Sequence, residues 1–112
     1  MPVQVTPYVP RTITVHMGAP DEWAENVTVS FPDYVKNVAS SEIYPTWEPA
    51  AIQANILAII SFALNRVYTE FYPSRGYDFQ ITSTTAYDQK FIRDRNIFEN
   101  ISRTVDEMFT DY

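Results

Sequence analysis

Cysteine is absent from this chain of 112 residues. That excludes disulfides, thiol nucleophiles and zinc sites built on thiolates. A cysteine-free chain fits a cytosol and a bacterial exterior equally, so the absence does not choose a compartment. Glycine is scarce: Gly18 and Gly76 are the only two, which leaves no glycine-rich loop to cradle a phosphate. Histidine occurs once, at His16, within a run that reads as a strand. No Glu or His stands at a metal-ligand spacing from it, and metal centres need converging ligands. His16 is therefore read as a structural or surface residue, and neither a metal nor any other cofactor is expected. No G-x-S-x-G elbow is present for a serine nucleophile.

Positive charge is also scarce. There are 8 Lys and Arg against 14 Asp and Glu, a net charge of −6, and no run of basic residues. Binding along a phosphate backbone needs a basic stripe, so nucleic acid is not an expected partner. Docking on an anionic membrane is disfavoured more weakly. The opening residues MPVQVTPYVPRT have neither a basic segment nor an apolar one, so no signal peptide is expected in this chain. The apolar run over residues 50–64 is interrupted by Gln53, Asn55 and Ser61 and reads as too short to span a bilayer.

What is present describes one folded domain. The chain is 46% hydrophobic and 15% aromatic, too apolar for disorder and of single-domain size. Residues 1–11, rich in proline, are expected to form an extended arm or linker ahead of a domain over residues 12–112. The alternating segments TITVHMG and NVTVSF, separated by turn chemistry at Pro20-Asp21, predict a β-hairpin. Ser30 or Asp33 suits the cap of a short helix through Tyr34, Val35, Val38 and Ala39. Residues 40–47 then break the pattern at Pro45. Pro49 suits the first turn of a central helix reaching about Phe71, apolar on nearly every side of its first four turns and so expected to be buried all round. YDFQITSTT predicts a strand. Residues 95–112 predict an amphipathic helix with Phe98, Ile101, Val105, Met108, Phe109 and Tyr112 on one face. The fold class expected is α+β.

Most polar residues read as solvated surface, including Asp106, Glu107 and Asp111. Gln53 and Asn55, within a helix expected to be buried, need partners there, and the backbone of the loop ahead of the helix is the nearest candidate. Glu42 is the residue open to two readings. Flanked by Ile43, Tyr44 and Trp47, it is either a partly desolvated carboxyl able to act as an acid near neutral pH, or a glutamate in an exposed loop.

A resemblance bears on that choice. The order DYVKNVAS, SEIYP, Trp47, an Ala-rich helix ending SFALNR, then YDFQITSTTAYDQKF and ISRTVDE resembles the stage II sporulation protein D (SpoIID/LytB) family over residues 28–107. Enzymes of that family are lytic transglycosylases acting on peptidoglycan, chiefly on strands stripped of stem peptides. Their catalytic acid occupies the position of Glu42. The resemblance further implies substrate contacts at Ser41, Tyr44, Trp47, Thr84, Thr85 and Gln89. Tyr44 and Trp47 either stack on sugar faces or pack the loop. It also implies peptidoglycan strands as partner, with other wall hydrolases or a missing second half of the domain as further candidates, and a bacterial cell envelope or extracellular location. The sequence departs from the family helix where Lys and Arg become Gln53 and Ile60 and a tyrosine becomes Phe62.

Three functional readings follow: a lytic transglycosylase with Glu42 as acid and base; a noncatalytic wall-binding or hydrolase-modulating module; and an inactive domain fragment whose last helix exposes its apolar stripe to a partner chain.

Overall fold

The computed structural model describes residues 9–110. Most of the expected N-terminal arm, together with Asp111 and Tyr112, lies outside those residues. The expected hairpin is present: β1 (Thr12–His16) pairs antiparallel with β2 (Asn26–Ser30), from Thr12 opposite Ser30 to His16 opposite Asn26. A turn at Pro20-Asp21 lies in the loop between them, closed by Glu22 N–H donating to Ala19 O at 3.0 Å. The chain enters α1 (Phe31–Glu42) directly from β2. Ser30 is its cap, accepting from Asp33 N–H at 3.2 Å, and Asp33 places negative charge at the positive end of the helix.

The helix α1 runs to Glu42, three residues beyond the expected stop at Ala39. Proline acts on the residue before it and on the carbonyl four residues back. With Pro45 as the breaker, the chain is forced out of helical geometry at Ile43 and Tyr44, not at Ser40. Ile43 is extended and its N–H closes the last turn on Ala39 O. Glu42 is therefore the last helical residue rather than part of a free turn.

The central helix α2 (Pro49–Tyr68) opens with proline in its first turn, as expected. It is not buried all round. Ile52, Ile56, Ile59, Ile60, Ala63 and Leu64 face the core, while Ala50, Ala54, Leu57, Ala58 and Ser61 face outward. Alanine tolerates either environment, so an Ala-rich stretch hides which side is covered. Gln53 and Asn55 are exposed, and Asn55 Nδ2 donates to Ala51 O within its own helix at 2.8 Å. Neither amide is buried against the loop that precedes the helix. By length and composition the stretch Pro49–Arg75 reaches what a membrane span requires, contrary to the sequence expectation, although its apolar core face packs within the domain.

A 3₁₀ turn at Pro73–Arg75 ends on Gly76, whose φ of +90° is the left-handed region that favours glycine. The strand β3 (Ile81–Thr82) then joins β1 in parallel, giving the sheet order β2-β1-β3. The last helix, α3 (Glu99–Thr110), starts four residues later than its apolar pattern suggested. Asp94 in left-handed geometry turns the chain ahead of it, and Phe98 N–H donates to Ser40 Oγ instead of entering the helix.

Sheet and helices enclose one core in an α+β arrangement. Ile13 and Val15 of β1, Phe31, Tyr34 and Val38 of α1, Ile56 and Ile60 of α2, and Ile101 and Val105 of α3 are fully buried. Of the stripe on α3, Ile101 and Val105 are thus covered by the core of their own domain, with Phe98, Met108 and Phe109 partly buried against it. Burying each such side chain contributes about 1.5–3 kcal/mol. Ile101→Ala is expected to cost about 2–5 kcal/mol in urea unfolding, against no more than about 0.5 kcal/mol for Leu57→Ala on the outer face of α2. Equal costs would contradict this packing.

Candidate functional site

The end of α1, the turn after it and the segment before α3 enclose a hollow of about 290 Å³, lined by Ser40, Ser41, Glu42, Ile43, Tyr44, Pro45, Arg95 and Phe98. Glu42 stands at the C-terminal end of α1, where the helix dipole is unfavourable for a carboxylate. A backbone donor offsets this: Lys90 N–H reaches Glu42 Oε2 at 3.0 Å. The side chain is otherwise exposed. The partial desolvation that its aromatic neighbours suggested is absent, because Tyr44 and Trp47 turn outward, 69% and 39% exposed. Their rings lie 6.0 Å apart, tilted.

Three amides hold the walls of this hollow. Gln89 is buried. Its Oε1 accepts from Tyr34 OH of α1 at 2.8 Å and its Nε2 donates to Ile59 O of α2 at 3.1 Å. Asn37 of α1 grips the backbone of Ile92 in both senses, Nδ2 to Ile92 O at 2.6 Å and Ile92 N–H to Oδ1 at 2.9 Å. Asn100 of α3 donates to Pro45 O at 2.9 Å and fixes the turn behind Tyr44. Asn37 and Asn100 satisfy backbone groups of the loops, and Gln89 joins a side chain of α1 to a carbonyl of α2.

Behind the loop sits a carboxylate of a different kind. The side chain of Asp88 is wholly buried, and every donor it needs is present. Arg66 Nε meets Oδ1 at 2.6 Å; Tyr72 OH, Thr82 Oγ1 and Thr82 N–H meet Oδ2 at 2.6, 2.6 and 2.9 Å. The Arg66 guanidinium lies 3.8 Å from the Phe71 ring centroid, a stacked position that an arginine fills well. This hub joins α2, β3 and the loop that carries Gln89 and Lys90. It is structural.

The residues singled out from sequence separate into groups. Ser41 and Tyr44 line the hollow with Glu42, and Ser41 Oγ donates to Asn37 O while accepting from Arg95 Nη1 at 3.2 Å. Trp47 lines an adjoining hollow with Gln53, Asn100 and Arg103. Thr84, Thr85 and Gln89 line neither. Thr84 O accepts from Asp88 N–H at 2.8 Å, which closes a turn, Thr85 is exposed beside it, and Gln89 lies beneath the site with both ends of its amide engaged. Asn37, Asp88, Arg95 and Asn100 were not picked out in sequence. His16 is a packed residue, its ring stacked on Phe79 at 4.3 Å and both nitrogens bonded, to Asn26 Oδ1 and Glu22 O. Among the described residues no three His, Asp or Glu side chains are grouped to hold a metal.

The family profile described as SpoIID, Stage II sporulation protein, matches residues 19–110, a span that includes this whole site. The chain belongs to the SpoIID family. Membership supports a cell-wall-related role in sporulation. No curated protein and no solved structure matches the chain.

The hydroxyls of Tyr34 and Tyr72 both titrate above the ordinary tyrosine value of 10.0. For Tyr34 burial is the main cause, followed by the negative charges of Asp88 and Glu42. For Tyr72 burial again leads, followed by the hydrogen bond to Asp88 and its charge, with Arg66 and Thr82 opposing. A raised folded value means that the unfolded chain loses these protons first. Their contribution is complete below about pH 10 and is lost as pH climbs beyond it. Urea midpoints measured up to about pH 11 should fall above about pH 10, less steeply in Tyr72→Phe than in the parent. An unchanged slope in the variant would contradict the coupling to Asp88.

Proposed function

We propose that this SpoIID member processes peptidoglycan glycan strands by lytic transglycosylase chemistry, with Glu42 as its single acid and base. The observation that carries the reading is one carboxylate held from behind by the Lys90 N–H while the rest of it faces an open hollow lined by the exposed Tyr44, with Trp47 in the adjoining one. In the first half-step protonated Glu42 donates to the glycosidic oxygen as the bond from N-acetylmuramic acid C1 breaks. In the second, the Glu42 carboxylate accepts the proton of that sugar's own C6 hydroxyl, whose oxygen closes on C1. The product is a 1,6-anhydro end. One group returns to its starting state, and no water needs activation, so the paired carboxylates of hydrolytic glycosidases are not required. The Lys90 N–H fixes the position of the carboxylate for the second half-step. The bound strand, not the protein alone, excludes water from the carboxyl. Action on glycan strands places the protein in the bacterial envelope or outside the cell, where wall hydrolases and any further part of the domain are its candidate partners.

A second reading, a wall-binding module without catalysis, draws on Ile60. That position holds Arg in the family pattern, and here its side chain is fully buried in the core, where it offers no charge or hydrogen bond.

Mass spectrometry of peptide-free strands after incubation decides between them. New 1,6-anhydro ends with the parent, reduced about 10²–10⁴-fold in Glu42→Gln, are expected from general acid-base catalysis. Folded protein that binds strands but yields no such ends would replace the enzyme by the binding module.

A further inference from the structure

Arg95 lies in the hollow without a part in the reaction. It lines the Glu42 hollow and also a neighbouring one of about 320 Å³ that passes Lys36, Asn37 and Arg93. On the other side Pro45 is shared with the hollow at Trp47 and Arg103. The Glu42 hollow thus shares one lining residue with each of two neighbours.

Cations line these hollows beside Asp33, Asp94, Glu42 and Glu107, and most are already matched. Lys36 pairs with Asp106 at 2.9 Å, Arg93 pairs with Glu25, and Arg103 lies 3.7 Å from Glu99. Arg95 differs. Its Nη1 donates to Ser41 Oγ at 3.2 Å and its Nε to Asn96 O at 3.1 Å, both neutral oxygens, and its guanidinium sits 5.6 Å from the Phe98 ring. Among the described residues no carboxylate pairs with it. The chain carries a net charge of −6, so acidic partners are plentiful elsewhere. The group is half-buried, braced from two sides, and keeps N–H donors over. That is a prepared site for a planar oxyanion, which a guanidinium meets with two parallel hydrogen bonds.

Resting on the function proposed above, we infer that Arg95 is a specificity residue that pairs with the lactyl carboxylate of N-acetylmuramic acid. In a strand that carries stem peptides this carboxyl is an amide, uncharged and hidden. In a peptide-free strand it is a free carboxylate. The family resemblance already implies a preference for such strands; Arg95 is the residue that reads it, and it holds the muramic acid ring beside Glu42.

The test measures binding to Glu42→Gln protein, which cannot turn over its ligand. Three probes are compared: a peptide-free tetrasaccharide of alternating N-acetylglucosamine and N-acetylmuramic acid, the same sugar with its lactyl carboxyls converted to methylamides, and chitotetraose. The carboxylate form is expected to bind more than about tenfold tighter than the amide, as a charge-assisted bond predicts. Adding Arg95→Gln should bring the two to the same affinity, and Arg95→Lys should retain part of the difference. Equal binding of all three probes before Arg95 is changed would overturn the role of Arg95 while leaving a glycan-binding protein. Binding of none would overturn both readings. The comparison made before Arg95 is altered needs no folded Arg95 variant, so instability of Arg95→Gln does not blunt it.

Discussion

The site depends on one buried amide. Gln89 ties Tyr34 of α1 to the backbone of α2 at Ile59, and its position fixes where the next residue's N–H points. That N–H, from Lys90, is what holds Glu42. Two helices, a loop and the carboxylate are thus registered by a side chain that touches solvent hardly at all. Asp88, one residue earlier, anchors the same loop from the other side through Arg66, Tyr72 and Thr82. Adjacent polar residues that are both buried and both satisfied make a loop behave as rigidly as a strand.

How much of this could be read in the sequence follows from the range of each interaction. The hairpin, the Ser30 cap and the Pro49 helix start are local, written in residues close together in the chain, and all three are present. The stripe of Ile101 and Val105 was legible for the same reason. Its covering was not, because the partners of α3 lie on α1 and α2 far earlier in the chain. The amide grips are the extreme case. Asn37 to Ile92 and Asn100 to Pro45 each span 55 positions, and an Asn in a helix carries no mark of such a partner. The sidedness of α2 was hidden by alanine, and Gln53 and Asn55 proved to be ordinary surface amides on a side expected to be buried.

Of the candidate site, Glu42, Ser41 and Tyr44 were placed together, while Thr84, Thr85 and Gln89 stand behind or beside the hollow. The distinction is physical. Residues around Glu42 are brought to it by the end of one helix and a proline turn, which keep near neighbours near. The threonines and Gln89 belong to a loop whose buried side serves the fold. A polar residue in that loop is spent on backbone and carboxylate partners, so its chemistry alone does not say whether a substrate meets it. Arg95 is the converse: it lies in a stretch that read as helix, and the left-handed turn at Asp94 delivers it to the hollow instead.

The account rests on a glycan strand lying in the hollow at Glu42. The most direct measurement is a nuclear magnetic resonance titration of nitrogen-15-labelled Glu42→Gln protein with a peptide-free tetrasaccharide. Shifts are expected at Ser41, Tyr44, Lys90, Arg95 and Phe98, around the hollow. The indole of Trp23, almost fully exposed on the hairpin loop, should stay where it is. Shifts confined to the hairpin loop or to the outer face of α2, with the hollow unchanged, would contradict the account.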